Sequence, residues 1–241
     1  PGEDPESTCR DQVLCRHAVI QAFQLTFRAG RWILATPFAV VVISAGVIFD
    51  SAARMVVTLS SQYYRMIALP EASFGLIGSG IALLGVFLPR LALKLSERYR
   101  PSTNFFITAS VMLTGLIGMS FFWRYFGLIP GLVLFSAMYL TGFFVSHYLN
   151  QITPSEQRAT VLSFKGLAFN LAYAGVGLAY SALLKIKRPT VDSLQPGLDS
   201  TALENLLFEQ TFIVFPLGFV AILLPWLIVV RYRQRHTEQT S

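Results

Sequence analysis

Charge is scarce in this sequence. Asp, Glu, Lys and Arg make up 13% of its 241 residues, about half the share of a soluble globular domain. A soluble enzyme domain is therefore excluded. Disorder is excluded as well, since 54% of the residues are hydrophobic and an unfolded polar chain needs the opposite balance. Cysteine and histidine are few, at 2 and 3 residues. Cys9 and Cys15 stand in the polar N-terminal segment at a spacing that matches no common zinc or redox motif, and they read as reduced thiols. There is no His-Glu-x-x-His, no Gly-x-Ser-x-Gly and no phosphate-binding Gly-rich loop with its Lys. The sequence thus gives no reason to expect an enzyme, a bound metal or a cofactor. The net charge of +6 does not point to nucleic acid, because the basic residues punctuate long apolar runs instead of clustering on one solvated face.

Those runs are the main content of the chain. Mean hydropathy is +0.55, and six stretches approach or exceed the ~20 apolar residues that cross a bilayer as a helix. They run from about Trp32 to Tyr64, Ala72 to Leu95, Asn104 to Trp123, Gly127 to Leu149, Ala159 to Leu184 and Phe212 to Val230. The links carry helix breakers and caps: Pro70-Glu71, Arg100-Pro101-Ser102, Pro154-Ser155-Glu156, and Pro189 through Pro196-Gly197. The predicted fold is an all-α membrane protein of six transmembrane helices. Its parts are an N-terminal cytoplasmic segment over 1–30, the helical bundle over 31–232 and a cytoplasmic tail over 233–241.

Orientation follows from the Lys and Arg residues. Placing both termini in the cytoplasm puts most of the 19 on that side, among them Arg28, Arg31, Arg90, Lys94, Arg98, Arg100, Arg158, Lys165 and Arg231. Lys185, Lys187 and Arg188 are the exception, and Asp192, Asp199, Glu204 and Glu209 follow them on the same loop. Ahead of the first span, Val19, Ile20, Phe23 and Phe27 share one helical face. They suit an amphipathic helix on the inner membrane surface or a linker helix against the bundle. The expected location is a plasma or inner membrane.

Polar side chains in hydrocarbon are costly, so their faces mark where lipid is absent. On span one, Asp50, Arg54, Thr58, Ser61 and Arg65 recur along one stripe. Ser136, Tyr139, Phe143, Ser146, His147 and Asn150 share an arc on span four, and Ser163, Gly166, Asn170, Tyr173, Gly177 and Tyr180 share one on span five. Spans three and six contain no ionisable side chain from Phe105 to Trp123 or from Phe212 to Val230, and are expected at the lipid-facing periphery. Span two is rich in small residues, Gly75, Gly78, Ser79, Ala82 and Gly85, and is expected to pack closely against a neighbour. Polar spans at positions one and four and apolar ones at three and six suggest two three-helix repeats.

The chain resembles the C-terminal six-helix half of a major facilitator superfamily transporter. The likeness rests on Arg28-Ala-Gly-Arg-Trp-Ile-Leu-Ala-Thr-Pro37 leading into the first span, on Leu95-Ser-Glu97-Arg98-Tyr-Arg100 in the loop after span two, and on Pro154-Ser-Glu-Gln-Arg158-Ala-Thr-Val-Leu-Ser163 leading into span five. In the loop, Glu97-Arg98 match the family motif, whereas Arg100 and Pro101 replace its Gly and Arg. The resemblance implies a secondary active transporter of small organic molecules that works by alternating access. Coupling to protons or another ion is expected, and export is one direction. It also implies a partner: an N-terminal six-helix half, covalent or separate, since the chain starts at Pro1 without a Met. Glu97, Arg98, Arg158 and Lys165 would then belong to inner-side gating contacts. Glu97, Arg98 and Arg158 are equally topology determinants.

Asp50 and Arg54 carry the sharpest signal. Spaced i, i+4, they can pair on one helix face, as a substrate or coupling site or as a structural ion pair. His147 is the residue type that changes charge near neutral pH, and fits a proton relay or a plain structural role. Lys165 can hold an anionic group or extend its stem to the interface. Tyr139, Asn170 and Tyr173 can bond an organic substrate or join helix to helix. The competing reading of the whole chain is a non-transporting membrane scaffold or accessory subunit that retains the transporter fold.

Overall fold

A computed structural model describes residues 24, 27, 28, 30–195, 197 and 199–239, with side chains as far as Tyr232. Cys9, Cys15 and most of the expected amphipathic segment lie outside them, and Phe27 is exposed. Among the described residues there are helices and turns and no strand. A short helical stretch over 30–35 ends at Thr36, whose hydroxyl donates to the Trp32 carbonyl at 2.9 Å. Pro37 opens α1 (Pro37–Thr58), a first-turn position where its missing N–H costs nothing. There follow α2 (Ser60–Met66), α3 (Phe74–Arg98), α4 (Pro101–Met119), α5 (Leu128–Ile152), α6 (Arg158–Leu194), α7 (Ser200–Phe212) and α8 (Val214–Gln239). Six helical segments are long and apolar enough to cross a membrane: α1, α3 with its preceding turn, α4, α5, α6 with its preceding turn, and α7–α8 together as far as Tyr232. These are the features of an integral membrane protein.

Two boundaries differ from expectation. The first span is broken at Leu59, where α1 ends and α2 begins. The fifth runs ten residues past Leu184, straight through Pro189. Proline inside a helix removes a backbone hydrogen bond and normally costs about 3 kcal/mol. Here the extension is held from outside: Val191 is buried in a small cluster with Leu203 and Leu207 of α7. Asp199 fixes the start of α7 by accepting from the Ala202 N–H at 2.6 Å, an ordinary N-cap.

The packing order also departs from the sequence expectation. α1 and α5 form the centre; α1 packs on α5, α6, α4 and α8, and α5 on α4, α1, α3 and α6. Their apolar core runs through Phe49, Phe105, Phe144 and Tyr148. α3, expected to pack closely, does so on one side, where it lies against α5 with Gly85 beside the Tyr139 ring and Ala92 buried, while its Gly75, Gly78 and Gly80 face open space. Small residues permit close approach but do not supply a partner. α4, expected at the lipid-facing periphery, exposes one side through Phe106 and Ile117, while Asn104, Thr108 and Met112 on the other are fully enclosed. An absence of charge tolerates lipid, yet it suits a protein interior equally well. α8 matches its expectation better. Its outer side is exposed, while Phe215 and Phe219 are buried and Trp226 Nε1 donates to Ser44 Oγ of α1 at 2.8 Å.

The tight α4–α5 contact turns on Gly115. A Cβ there would lie 2.8 Å from the Leu134 backbone nitrogen and 2.9 Å from its Cα, atoms that cannot rotate aside. Gly115→Val is expected to lower the melting temperature of the purified protein, at a cost of about 1–3 kcal/mol for overpacking. Gly218→Ala, where nothing lies within 4 Å, is expected to leave it within experimental error. Equal melting of the two variants would remove the role given to Gly115.

Candidate functional site

The polar stripe of α1 meets α6. Asp50 and Arg54, one turn apart, form an ion pair at 2.8 Å, the Asp50 side chain 13% exposed and that of Arg54 34%. The guanidinium then spans to α6. Its Nη1 donates to Asn170 Oδ1 at 2.6 Å, and its carbon lies 5.6 Å from the centre of the Tyr173 ring. The fork of an arginine suits this use, since separate N–H groups reach two acceptors from one rigid plane. One turn further, Thr58 donates to the Arg54 carbonyl at 3.0 Å. It also shares a hydroxyl–hydroxyl bond with Tyr173 at 2.8 Å. Because the Thr58 proton is already committed, Tyr173 is the donor in that pair.

A second link joins α6 to α5. Lys165 Nζ donates to Ser146 Oγ at 2.9 Å and lies 5.7 Å from the Phe169 ring centre. Its charge is within electrostatic reach of Asp50. Lys165 therefore does not belong with the inner loop residues, and its ammonium points into the bundle. Between the two links the side chains of Phe169 on α6 and Val145 on α5 crowd against Gly46 of α1. A Cβ on Gly46 would sit 2.5 Å from Phe169 Cζ and 2.8 Å from Val145 Cγ2.

Depth can be read from helix geometry. At ~1.5 Å per residue, Arg54 stands roughly 25 Å beyond Pro37 and Asn170 roughly 18 Å beyond Arg158. Since the two side chains are bonded at 2.6 Å, Pro37 and Arg158 do not start their helices at the same depth, and Arg54 stands in the last turn of α1 beside the middle of the longer α6.

The other candidates are placed apart. His147, on α5 beside Ser146, bonds its Nε2 to the Gln151 amide at 2.9 Å and stacks on Phe143. No hydrogen bond joins it to the Asp50–Arg54 network among the described residues. Tyr139 faces α3, its ring against Gly85. Arg65, at the end of the same sequence stripe, pairs with Glu71 at 3.4 Å, because the break at Leu59 separates it from α1. Glu97, Arg98 and Arg158 form no ion pair among the described residues; Arg98 lies near the Tyr99 ring and Arg158 Nε donates to the Thr153 carbonyl at 3.2 Å.

Sequence reading did not single out Gly46 or the buried Asn104, whose amide donates to Tyr148 Oη at 2.7 Å and to the Leu95 carbonyl at 3.1 Å. A glycine carries no side-chain signal of what it faces. Asn104 could have been flagged as an amide at the start of an otherwise apolar run.

Further along α6 from Tyr173 lies a cleft of about 430 Å³ lined in part by Leu59, Gln62, Tyr180, Lys185, Arg188 and Glu204. Arg188 and Glu204 approach to 3.8 Å across it. Tyr180, enclosed at its inner side, shares a hydrogen bond with Thr211 of α7 at 3.1 Å.

No family model, curated protein or solved structure matches the chain.

Proposed function

We propose that the protein is a secondary active transporter of small organic molecules, working by alternating access and coupled to protons or another ion. The six helices are taken as two three-helix repeats, completed by a second six-helix half, with both termini in the cytoplasm of a plasma or inner membrane. The supporting observation is the Asp50–Arg54–Asn170–Tyr173 network. It places an ion pair and several hydrogen-bonding groups between two long apolar helices, where charge is expensive. It also has the parts of a switch. Arg54 bonds Asp50 on its own helix and Asn170 on the neighbouring one. Neutralising Asp50, by a proton or a bound cation, frees one arm of the guanidinium and changes how α1 is tied to α6. A ligand that takes the freed arm shifts the balance between two arrangements by its differential affinity for them.

Two single cysteines test this against the scaffold alternative. In a background with Cys9 and Cys15 replaced by serine, Thr58→Cys marks the outer end of the network and Ser146→Cys a position toward its inner end. Transport by alternating access predicts that both react with a membrane-impermeant thiol reagent from either side. It also predicts that locking one side shut protects one site while exposing the other. A scaffold predicts reaction from one side only, or none.

A further inference from the structure

We propose that the molecule received at this site is an organic anion, held by Lys165 together with Arg54; the inference rests on the transporter reading above. The first observation is a charge count. Of the 13 acidic residues, Asp50 alone lies within the six apolar runs. Its carboxylate is already engaged by Arg54 at 2.8 Å. Lys165 brings a second positive charge to the same three-helix junction and has no ion-pair partner among the described residues. One carboxylate between two cations leaves a net positive site. A cationic ligand would find no free counter-charge there, and a neutral one would leave that of Lys165 unmatched.

The second observation is hydrogen-bond capacity. The Lys165 ammonium has three donors and spends one on Ser146 among the described groups. The Ser146 hydroxyl in turn donates to the Gly142 carbonyl at 2.8 Å, so toward Lys165 it is the acceptor and aims the ammonium. Arg54 likewise uses two of its N–H groups. Unspent donors of Lys165 and Arg54 suit a carboxylate or another oxyanion, while the buried Asp50 Oδ2 meets Arg54 as an ion pair and accepts no hydrogen bond. The Phe169 and Tyr173 rings beside the two cations provide apolar surface for the organic part. The third observation is the cleft. Its charged lining consists of Lys185, Arg188 and Glu204, and Glu204 is engaged by Arg188, so this cleft, further along α6 from the junction, also carries an excess positive charge.

The test uses the complete protein reconstituted into liposomes and three matched series of labelled probes: lactate, succinate and benzoate; their neutral amides; and ethanolamine, putrescine and benzylamine. Saturable movement is expected for one or more of the carboxylates and for neither other series. Lys165→Gln is expected to reduce it by roughly 10- to 100-fold, the size of a lost hydrogen bond to a charged group. Lys165→Arg should recover part of the loss, and Lys187→Gln, an exposed charge further along α6, should have no effect. Melting temperatures of the four proteins separate lost binding from lost folding. Saturable movement of amides or amines with inert carboxylates would overturn the anion assignment and leave the transporter reading standing. Carboxylate movement undiminished in Lys165→Gln would overturn the role of Lys165. No movement in any series beyond that of empty liposomes counts against both readings.

Discussion

Asp50→Asn is expected to reduce coupled transport by roughly 100-fold, to the background of the assay, while the protein still folds. The substitution keeps the shape of the side chain and removes its charge. Arg54 then loses its ion-pair partner at 2.8 Å but keeps the Asn170 oxygen at 2.6 Å and the neighbouring Tyr173 ring. A hydrogen bond to a charged group contributes about 1.5–3 kcal/mol, and the guanidinium retains one such bond, so it is not stranded. Helix packing does not depend on Asp50: the buried side chains of α1 are Val42, Phe49, Val56 and their neighbours, which the substitution leaves alone. The part that changes is the switch, because a permanently neutral residue can no longer alternate between holding Arg54 and releasing it. Transport in reconstituted vesicles, paired with gel filtration and a melting curve, checks both halves of the expectation. Unchanged uptake or efflux would remove Asp50 from the coupling role. Loss of the folded protein would make the Asp50–Arg54 pair structural.

Gly46→Leu should produce the larger structural effect. Gly46 lies one turn before Asp50, where α1, α5 and α6 converge, and even a single methyl there would meet Phe169 and Val145 at 2.5 and 2.8 Å. Phe169 is buried and cannot swing away without moving α6. Overpacking of this kind costs about 1–3 kcal/mol and occasionally more, and each kcal/mol corresponds to roughly 2–4 °C in melting temperature for a chain of this size. A second consequence is specific to this site. Pushing α6 outward lengthens the Arg54–Asn170 and Thr58–Tyr173 bonds together, since all four residues depend on the same helix spacing. Transport is therefore expected to fall more steeply in Gly46→Leu than stability does, with Gly46→Ala intermediate in both. A variant that melts and transports normally would show that the three helices do not meet as closely as described.

Much of this protein is legible in its sequence, for a definite physical reason. A helix in an apolar medium must satisfy its backbone internally, so long apolar runs bounded by Pro37, Pro101 and the Pro154 turn announce their own spans. Asp50 and Arg54 stand out for the same reason, as charges that such a run does not tolerate without a partner. The 3.6-residue period brings them together on one face without any tertiary information.

Partner choice between helices was decided by the tertiary structure. The stripe from Asp50 to Arg65 is continuous in sequence, yet the break at Leu59 divides it between α6 and a surface loop. Tyr139 and Ser146 share an arc of α5, yet one rests against Gly85 and the other receives Lys165. The apolar α4 encloses one side and exposes Phe106 and Ile117 on the other, and the glycine-rich α3 meets α5 at Gly85 while Gly75, Gly78 and Gly80 stay open. Composition sets which faces tolerate lipid, whereas close packing depends on the shape of the facing helix, as Gly46 and Gly115 illustrate. The scarcity of charge thus marked out the spans and the Asp50–Arg54 pair, and the meeting of α1, α5 and α6 decided which neighbours those charges acquired.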